Sequence, residues 1–354
     1  MKICVGVDVS AATLEVAWRT PGGPLRRRTF ANDSSGHQAL IKELRRERLP
    51  VFVVMEATGI YGLDLALALD RASGVEVMVA NPRTIADFGK ALLQRSKTDR
   101  LDAETILLFA ERMPFVPWHA PSTTILELRA ITRRIAALGK MMRAEKARQH
   151  TAEASKAVGA ILHKSARNTV AMLEKEIATL RNAARKIIDG DAQLKRRMEL
   201  LTSIKGIGSI SAVQILAELM LLPADMTDRQ WVAHAGLDPR LVQSGTSVHL
   251  TARISKAGNH YLRGALYMPA LTAGRYEPHV VGFRAHLLAR GKRPRQIHVA
   301  VMRKLLHAIH AMFRSDTFFD GSKFYRLAAG AAGTSGIASS AISEVSAAHI
   351  PVDC

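Results

Sequence analysis

Apolar residues follow three regimes along the chain. Up to about residue 120 they come as short unbroken runs, Ile3 to Val9, Val51 to Met55 and Val75 to Val79, each too short for a helix. That is the pattern of strands buried on both faces. Leu14 to Trp18 and Arg26 to Phe30 add two further strands, which suggests an antiparallel meander after the first run. His37 to Arg48 and a stretch ending at Leu69 predict helices, and Asn81-Pro82 closes the third buried run. Asp99 to Met113 is amphipathic, with Leu101, Ile106, Leu107, Leu108 and Phe109 as its apolar positions. From Thr123 to about Met198 the spacing changes to three and four, in Ile125, Leu128, Ile131, Ile135 and Leu138, then Met172, Leu173, Ile177, Leu180, Ala184, Ile187 and Ile188. Two long helices account for this, paired as a hairpin or as a coiled coil with another copy. Beyond residue 201, short helical patterns alternate with glycine turns, and from Ala328 the chain is rich in Ala, Ser and Gly, as a disordered tail would be. The expected division is therefore 1–120, an α/β domain; 121–200, a helical coiled-coil arm; 201–327, a mainly helical domain; and 328–354, the tail.

Charge sharpens this division. The 354 residues carry a net +19, with a pI near 10.4. Residues 1–120 contribute +2, residues 121–200 +9, residues 201–327 +10 and the tail −2. A nearly neutral, acid-rich first third is thus followed by a basic remainder, as expected of a catalytic module joined to parts that hold a polyanion. Aromatic residues make up 5%, which argues against a stacking platform for single strands. The two cysteines, Cys4 and Cys354, exclude a cysteine zinc site and suggest no disulfide framework. No signal peptide and no run of about 18 apolar residues is visible, so no membrane span is expected and a cytoplasmic location is.

Two of the buried runs deliver an acid at their C-terminal end, Asp8 and Glu56. In open α/β sheets that end is where ligands bind. Asp99 and Asp102 follow in the first turn of the amphipathic helix, with Thr98 or Asp99 as its N-cap, and a spacing of three puts both on one helix face. Singly, each of the four is an ordinary strand-end or first-turn acid. Together, four converging carboxylates repel one another and favour a hard divalent cation, chiefly Mg²⁺. Two such ions can clamp the attacking and leaving oxygens of a phosphodiester. Three strands, a helix, then a strand ending in an acid is the order of an RNase H-like fold.

The last third carries two further signals. Lys205-Gly206-Ile207-Gly208 resembles the turn of a helix-hairpin-helix element, whose exposed N–H groups hold a phosphate without reading sequence. Ala235-Gly236-Leu237-Asp238-Pro239 leads to Ser244-Gly245, which by spacing is a turn between two short strands. No base that would activate the serine is evident nearby. Lys256, Arg263 and the connection Lys292-Arg293-Pro294-Arg295 are candidates for backbone phosphates, with Lys205, Gly206 and Gly208. Lys140, Arg143, Lys146 and Arg148 add positive charge to the first long helix. His307 and His310 share a helix face, but two histidines make a poor metal site.

Taken in order, Val7-Asp8, Met55-Glu56-Ala57-Thr58-Gly59, Asn81-Pro82, Lys97-Thr98-Asp99-Arg100-Leu101-Asp102-Ala103, Gly206-Ile207-Gly208, Ala235-Gly236-Leu237, Ser244-Gly245, Ile254-Ser255-Lys256-Ala257-Gly258-Asn259 and Leu262-Arg263 resemble the DEDD-type insertion-sequence transposases, the family that includes the Piv DNA invertases. The resemblance covers roughly residues 1–315. It implies a RuvC-like N-terminal domain, a coiled-coil arm and a C-terminal transposase domain. It implies that Asp8, Glu56, Asp99 and Asp102 bind Mg²⁺, and that a serine forms a covalent link to DNA. Ser244 takes that role because it stands in the matching Ser-Gly position, with Ser255 as the fallback. It further implies a structured bridge RNA that pairs with donor and target DNA, and a homodimer or homotetramer. Two other readings compete. One is a RuvC-like metal-dependent nuclease of the junction-resolving type, with no covalent intermediate. The other is a nucleic-acid-binding protein whose carboxylates are structural.

Overall fold

The computed structural model describes residues 2–57, 59, 61–93, 99–154, 159–244 and 248–327, with side chains described except at 99–100 and 241–252. The tail and the proposed cap Thr98 lie outside the described residues. The chain divides into two compact units, Met1–Pro121 and Ser122 onward.

The first unit is a mixed α/β layer structure. Its elements are β1 (Ile3–Val9), β2 (Thr13–Arg19), β3 (Leu25–Ala31), α1 (Ser34–Leu44), β4 (Val51–Glu56), α2 (Leu63–Asp70), β5 (Val75–Ala80), α3 (Pro82–Ala91) and α4 (Asp99–Arg112). The five strands lie in the order β3-β2-β1-β4-β5. The β1–β2 and β2–β3 pairs are antiparallel, the β1–β4 and β4–β5 pairs parallel. Val5, Val7, Val53 and Met55 point to one face and pack with Leu40 and Leu44 of α1 and Leu65 and Leu69 of α2. Cys4 and Val54 point to the other and pack with Ile85 of α3 and Ile106, Leu107 and Ala110 of α4. Burial on both faces is why these strands read as continuous apolar runs rather than alternating ones.

Two local expectations are corrected. Asn81-Pro82 does more than end β5: the Asn81 side chain accepts the Arg83 N–H at 2.9 Å and Pro82 takes the first helical position, so the pair opens α3. The helix expected from His37 begins at Ser34, because Asp33 caps it by accepting the Gly36 N–H at 2.8 Å. It ends at Leu44, before a single 3₁₀ turn that stops with Arg48 in the left-handed region.

The second unit is helical apart from one hairpin among the described residues. It comprises α5 (Thr123–Glu153), α6 (Ala160–Asp189), α7 (Ala192–Thr202), α8 (Ser209–Leu219), α9 (Asp228–His234), β6 (Pro239–Ser244), β7 (Val248–Ile254), α10 (His260–Tyr276), α11 (Pro278–Ala289), α12 (Pro294–Ser315) and α13 (Gly321–Phe324). Of the two arrangements open to the long helices, the chain adopts the hairpin. Ile135 and Leu138 of α5 meet Leu173 and Ile177 of α6, and farther out Lys146 pairs with Glu174 at 2.7 Å. The main core gathers Leu200, Leu216, Trp231, Leu262, Leu266, Val301 and Leu305, so α7 through α12 form one body.

Candidate functional site

Backbone register places the two strand-end acids. β1 and β4 pair from Ile3 with Val51 to Val7 with Met55 at a constant offset, and the next step sets Asp8 beside Glu56. Strand alternation puts Cys4, Gly6 and Asp8 on one face, with Val54 and Glu56. Cys4 and Val54 pack against α4, so both acids lie on the α4 side of the sheet.

The same face fixes where α4 begins. The Cys4 thiol donates to the Ala110 carbonyl at 3.9 Å, whereas a Cβ on Gly6 would sit 2.4 Å from the Ala103 carbonyl oxygen and 2.2 Å from the Leu107 nitrogen. α4 therefore runs antiparallel to β1, and only glycine lets it lie that close. Two strand residues advance about 6.6 Å, the length of about four helical residues. Asp8 thus comes level with the first turn of α4, which carries Asp99 and Asp102. Asp102 is half-buried; the Asp99 side chain lies outside the described residues. Other acids of α4 are engaged elsewhere, Glu104 with Arg27 at 2.6 Å and Glu111 with Arg19 at 3.0 Å. Among the described residues, no three His, Cys, Asp or Glu side chains are gathered closely enough to hold a metal ion.

In the second unit, Ser244 is the last residue of β6, in register with Val248 of β7, and Gly245 lies outside the described residues. The foot of this hairpin is tightly built. The Ser255 hydroxyl donates to the Asp238 carboxylate and accepts the Ala257 N–H, while its N–H donates to the Asp238 carbonyl at 2.9 Å. Ser255 is thus committed to the turn. Lys256, at φ 52°, donates its N–H to the Gly236 carbonyl and keeps its side chain exposed. Gly258, at φ 139°, lies so near the His234 carbonyl that a Cβ would meet it at 2.2 Å. Arg263 donates to the Ala235 carbonyl at 2.7 Å, and burial lowers its pKa.

Behind this foot lies a buried ionic network that the sequence reading passed over. Glu218 of α8 is 3% exposed. It accepts two hydrogen bonds from Arg133 of α5, at 2.8 and 3.0 Å, and one from the Asn259 amide at 2.6 Å. Asn259 also accepts the Tyr261 and Leu262 N–H groups, capping α10, and Arg133 lies 4.4 Å over the Tyr261 ring. Burial pushes the Glu218 pKa up, but the Arg133 and Asn259 hydrogen bonds and the Arg133 and Arg129 charges outweigh it and hold it below the usual value. Burial lowers the pKa of neighbouring His234. The signal was present in the sequence: one acid inside the apolar run Ile215-Leu216-Ala217-Glu218-Leu219.

The remaining candidates are scattered over the second unit. Between α7 and α8, Ile204 and Ile207 are buried while Lys205 and Gly208 are exposed. Gly206, at φ 120°, would drive a Cβ to 2.5 Å from the Ala273 nitrogen, so it serves the packing of α10. Lys292, Arg293 and Arg295 are exposed before and at the start of α12. His307 pairs with Asp228 at 2.7 Å and His310 bonds to the Met226 carbonyl at 2.9 Å, so both fix α9 to α12.

Comparison with known proteins adds an independent line. Residues 5–153 match a family model described as a transposase of the DEDD type, and residues 198–283 match the transposase IS116/IS110/IS902 family. Pilin gene-inverting proteins of Moraxella bovis and Moraxella lacunata are each 27% identical over 325 residues, covering 90% of this chain and 98% of the relative. An insertion element IS110 uncharacterized 43.6 kDa protein of Streptomyces coelicolor is 30% identical over 125 residues, 34% of this chain and 30% of the relative.

Proposed function

Because the chain belongs to the DEDD transposase family of insertion elements and is thereby a DNA-recombining enzyme, we propose that it cuts and rejoins donor and target DNA with a carboxylate tetrad and a serine nucleophile. The observation that carries this reading is the in-register Asp8–Glu56 pair on the face against which α4 presents its first turn. The strand order β3-β2-β1-β4-β5 supports assigning the first unit to the RNase H-like, RuvC-like class.

Asp8, Glu56, Asp99 and Asp102 are all hard oxygen donors, a set suited to Mg²⁺ and unsuited to a soft metal. When bound, the ion neutralises charge on the scissile phosphate and polarises its P–O bond. Ser244 supplies the nucleophile. Its Oγ bonds to phosphorus as one P–O bond of the strand breaks, the serine proton leaves to base or water, and the departing oxygen takes a proton. The phosphodiester energy is kept in the serine ester, so rejoining is the same exchange reversed and needs no external energy source. The position of Ser244 at the end of a two-stranded hairpin suits a residue that must reach a bulky polymer. The exposed Lys205, Lys256, Lys292, Arg293 and Arg295 suit binding of nucleic-acid backbones. A structured guide RNA would take over the choice of sequence by base pairing, and a homodimer or homotetramer would supply the several strand cuts.

A trapping assay on labelled donor and target DNA, with Mg²⁺ and the element's flanking RNA, tests this. Wild type should form a protein–DNA adduct that Ser244→Ala abolishes and Asp102→Asn reduces on the order of 100-fold or more. Cleavage without an adduct, surviving Ser244→Ala but not Asp102→Asn, would instead favour a metal-dependent nuclease. Equal activity of Asp102→Asn and wild type would make the carboxylates structural.

A further inference from the structure

Beyond Glu56 the β1–β4 ladder ends, and the loops that continue from the two acid-bearing strands need another tie. Asn32, immediately after β3, provides one. Its side-chain amide donates to the Ser10 carbonyl at 2.7 Å and to the Tyr61 carbonyl at 3.1 Å. Ser10 lies just past Asp8 in sequence and Tyr61 just past Glu56, so both amide hydrogens are spent holding the two loops together. The Asn32 main chain adds a third tie, donating to the Ala12 carbonyl at 2.9 Å. With both hydrogens on carbonyls, the amide oxygen must be the acceptor of its remaining contact, the His37 Nε2 at 2.9 Å. That fixes the histidine tautomer: Nε2 carries the proton. His37 is 5% exposed, and so is shielded from competing water. A reversed amide would set its oxygen against two carbonyls, so those carbonyls fix the orientation of the amide, and the histidine holds its oxygen in place.

We infer that Asn32, held in place by His37, is a positioning residue for the carboxylate site: it clamps the loops that leave the Asp8 and Glu56 strands and so restrains the movement of the two acids relative to one another. This rests on the tetrad reading of the proposed function. Groups bonded directly to metal ligands change metal affinity on the order of 10- to 100-fold when removed, and Asn32, acting one step farther out through the loops, is expected at the lower end of that range.

The test compares the full-length wild type with Asn32→Ala, His37→Phe, His37→Gln and Asp8→Asn. Mn²⁺ binding is followed by loss of the free-ion electron paramagnetic resonance signal, and amide hydrogen exchange is measured over residues 9–13 and 57–62. Asn32→Ala and His37→Phe should raise the Mn²⁺ concentration at half-saturation about 10-fold and speed exchange in both segments. His37→Gln, which keeps a donor to the Asn32 oxygen, should stay nearer wild type. Unchanged exchange in Asn32→Ala would overturn the clamp itself. Faster exchange with unchanged Mn²⁺ affinity, while Asp8→Asn loses the ion, would overturn the positioning role and leave the tetrad standing. Absence of Mn²⁺ binding by wild type would remove the tetrad reading and the positioning role with it.

Discussion

The two units place their candidate residues by different means. In the first, main-chain register does the work: a constant β1–β4 offset sets Asp8 beside Glu56, and Gly6 lets α4 lie close enough for its first turn to come level with them. In the second, side chains do it: the foot of the Ser244 hairpin is anchored through Asn259 to Glu218, and Glu218 is held by Arg133. Register is shared by many hydrogen bonds and no one side chain sets it; Asn32 acts only on the loops beyond the ladder. A buried ion pair concentrates the same task in a few atoms, where one partner left alone in low dielectric is costly. The first unit should therefore tolerate loss of a charge better than loss of Gly6, whereas in the second the loss of a buried charge partner should itself be costly.

Four measurements break or sharpen that contrast. Arg133→Met should have the largest effect, about 3–5 kcal/mol of destabilisation, because it leaves Glu218 charged and buried without its bidentate partner. Chemical denaturation followed by Trp231 fluorescence, with Trp18 and Trp118 replaced by Phe, reports on that unit; a loss below about 1 kcal/mol would mean that the network does not anchor it. Gly6→Ala should cost about 1–3 kcal/mol by overpacking, read in the first unit by hydrogen exchange of α4, and should lower strand cleavage with it. Wild-type exchange in that helix would show that α4 can shift without penalty.

Acid comes next. Glu218 has a folded-state pKa below its ordinary 4.5, so its contribution is complete above 4.5 and is lost as pH falls through the lower folded value. His234, held below its ordinary 6.5, acts in the same direction, since the unfolded chain takes up its proton first as pH drops. Stability of the second unit should thus decline from about pH 6.5 downward, and Glu218→Gln should flatten the lower part of that decline. A pH profile of Glu218→Gln that superimposes on wild type would exclude the carboxylate as the cause. The smallest effect belongs to Lys146→Ala, which removes a half-exposed ion pair with Glu174 between α5 and α6. It should cost at most about 0.5 kcal/mol; a loss approaching that of Arg133→Met would show that charge along the whole hairpin matters, not only where it is buried.

How much of this was legible in the sequence also differs between the units. The strands of the first unit were visible because burial on both faces leaves unbroken apolar runs, and acids at the ends of two such runs mark a ligand edge without any knowledge of neighbours. What the runs do not contain is the offset between them; that Asp8 and Glu56 are level is a property of pairing. The role of Gly6 was hidden for the same reason, since the atoms it makes room for are about a hundred residues away. Asn81 and Asp33 were legible as caps in principle, yet Asn81-Pro82 also fits a strand end. In the second unit the helices and the hairpin followed from spacing, but the meaning of the motif around Ser255 did not. Ser255, Gly258, Asn259 and Arg263 are bound to the turn and to α9, work that only the folded chain reveals. Glu218 was the one available clue, an acid where every neighbour is apolar.

The hairpin foot and the long helix α5 share a single carboxylate, and that sharing has a mechanical side. α5 is 31 residues long and projects with α6 well past Arg133, so the Glu218 contact fixes it near its inner end. Lys140, Arg143 and Arg148 lie exposed on the outer half of that arm, and Arg133 lies nearer its inner end. Arg133 is bonded to Glu218 and Glu218 to Asn259, and Asn259 sits at the start of α10, a few residues after the strand that faces Ser244. The arm and the start of α10 thus meet at one carboxylate.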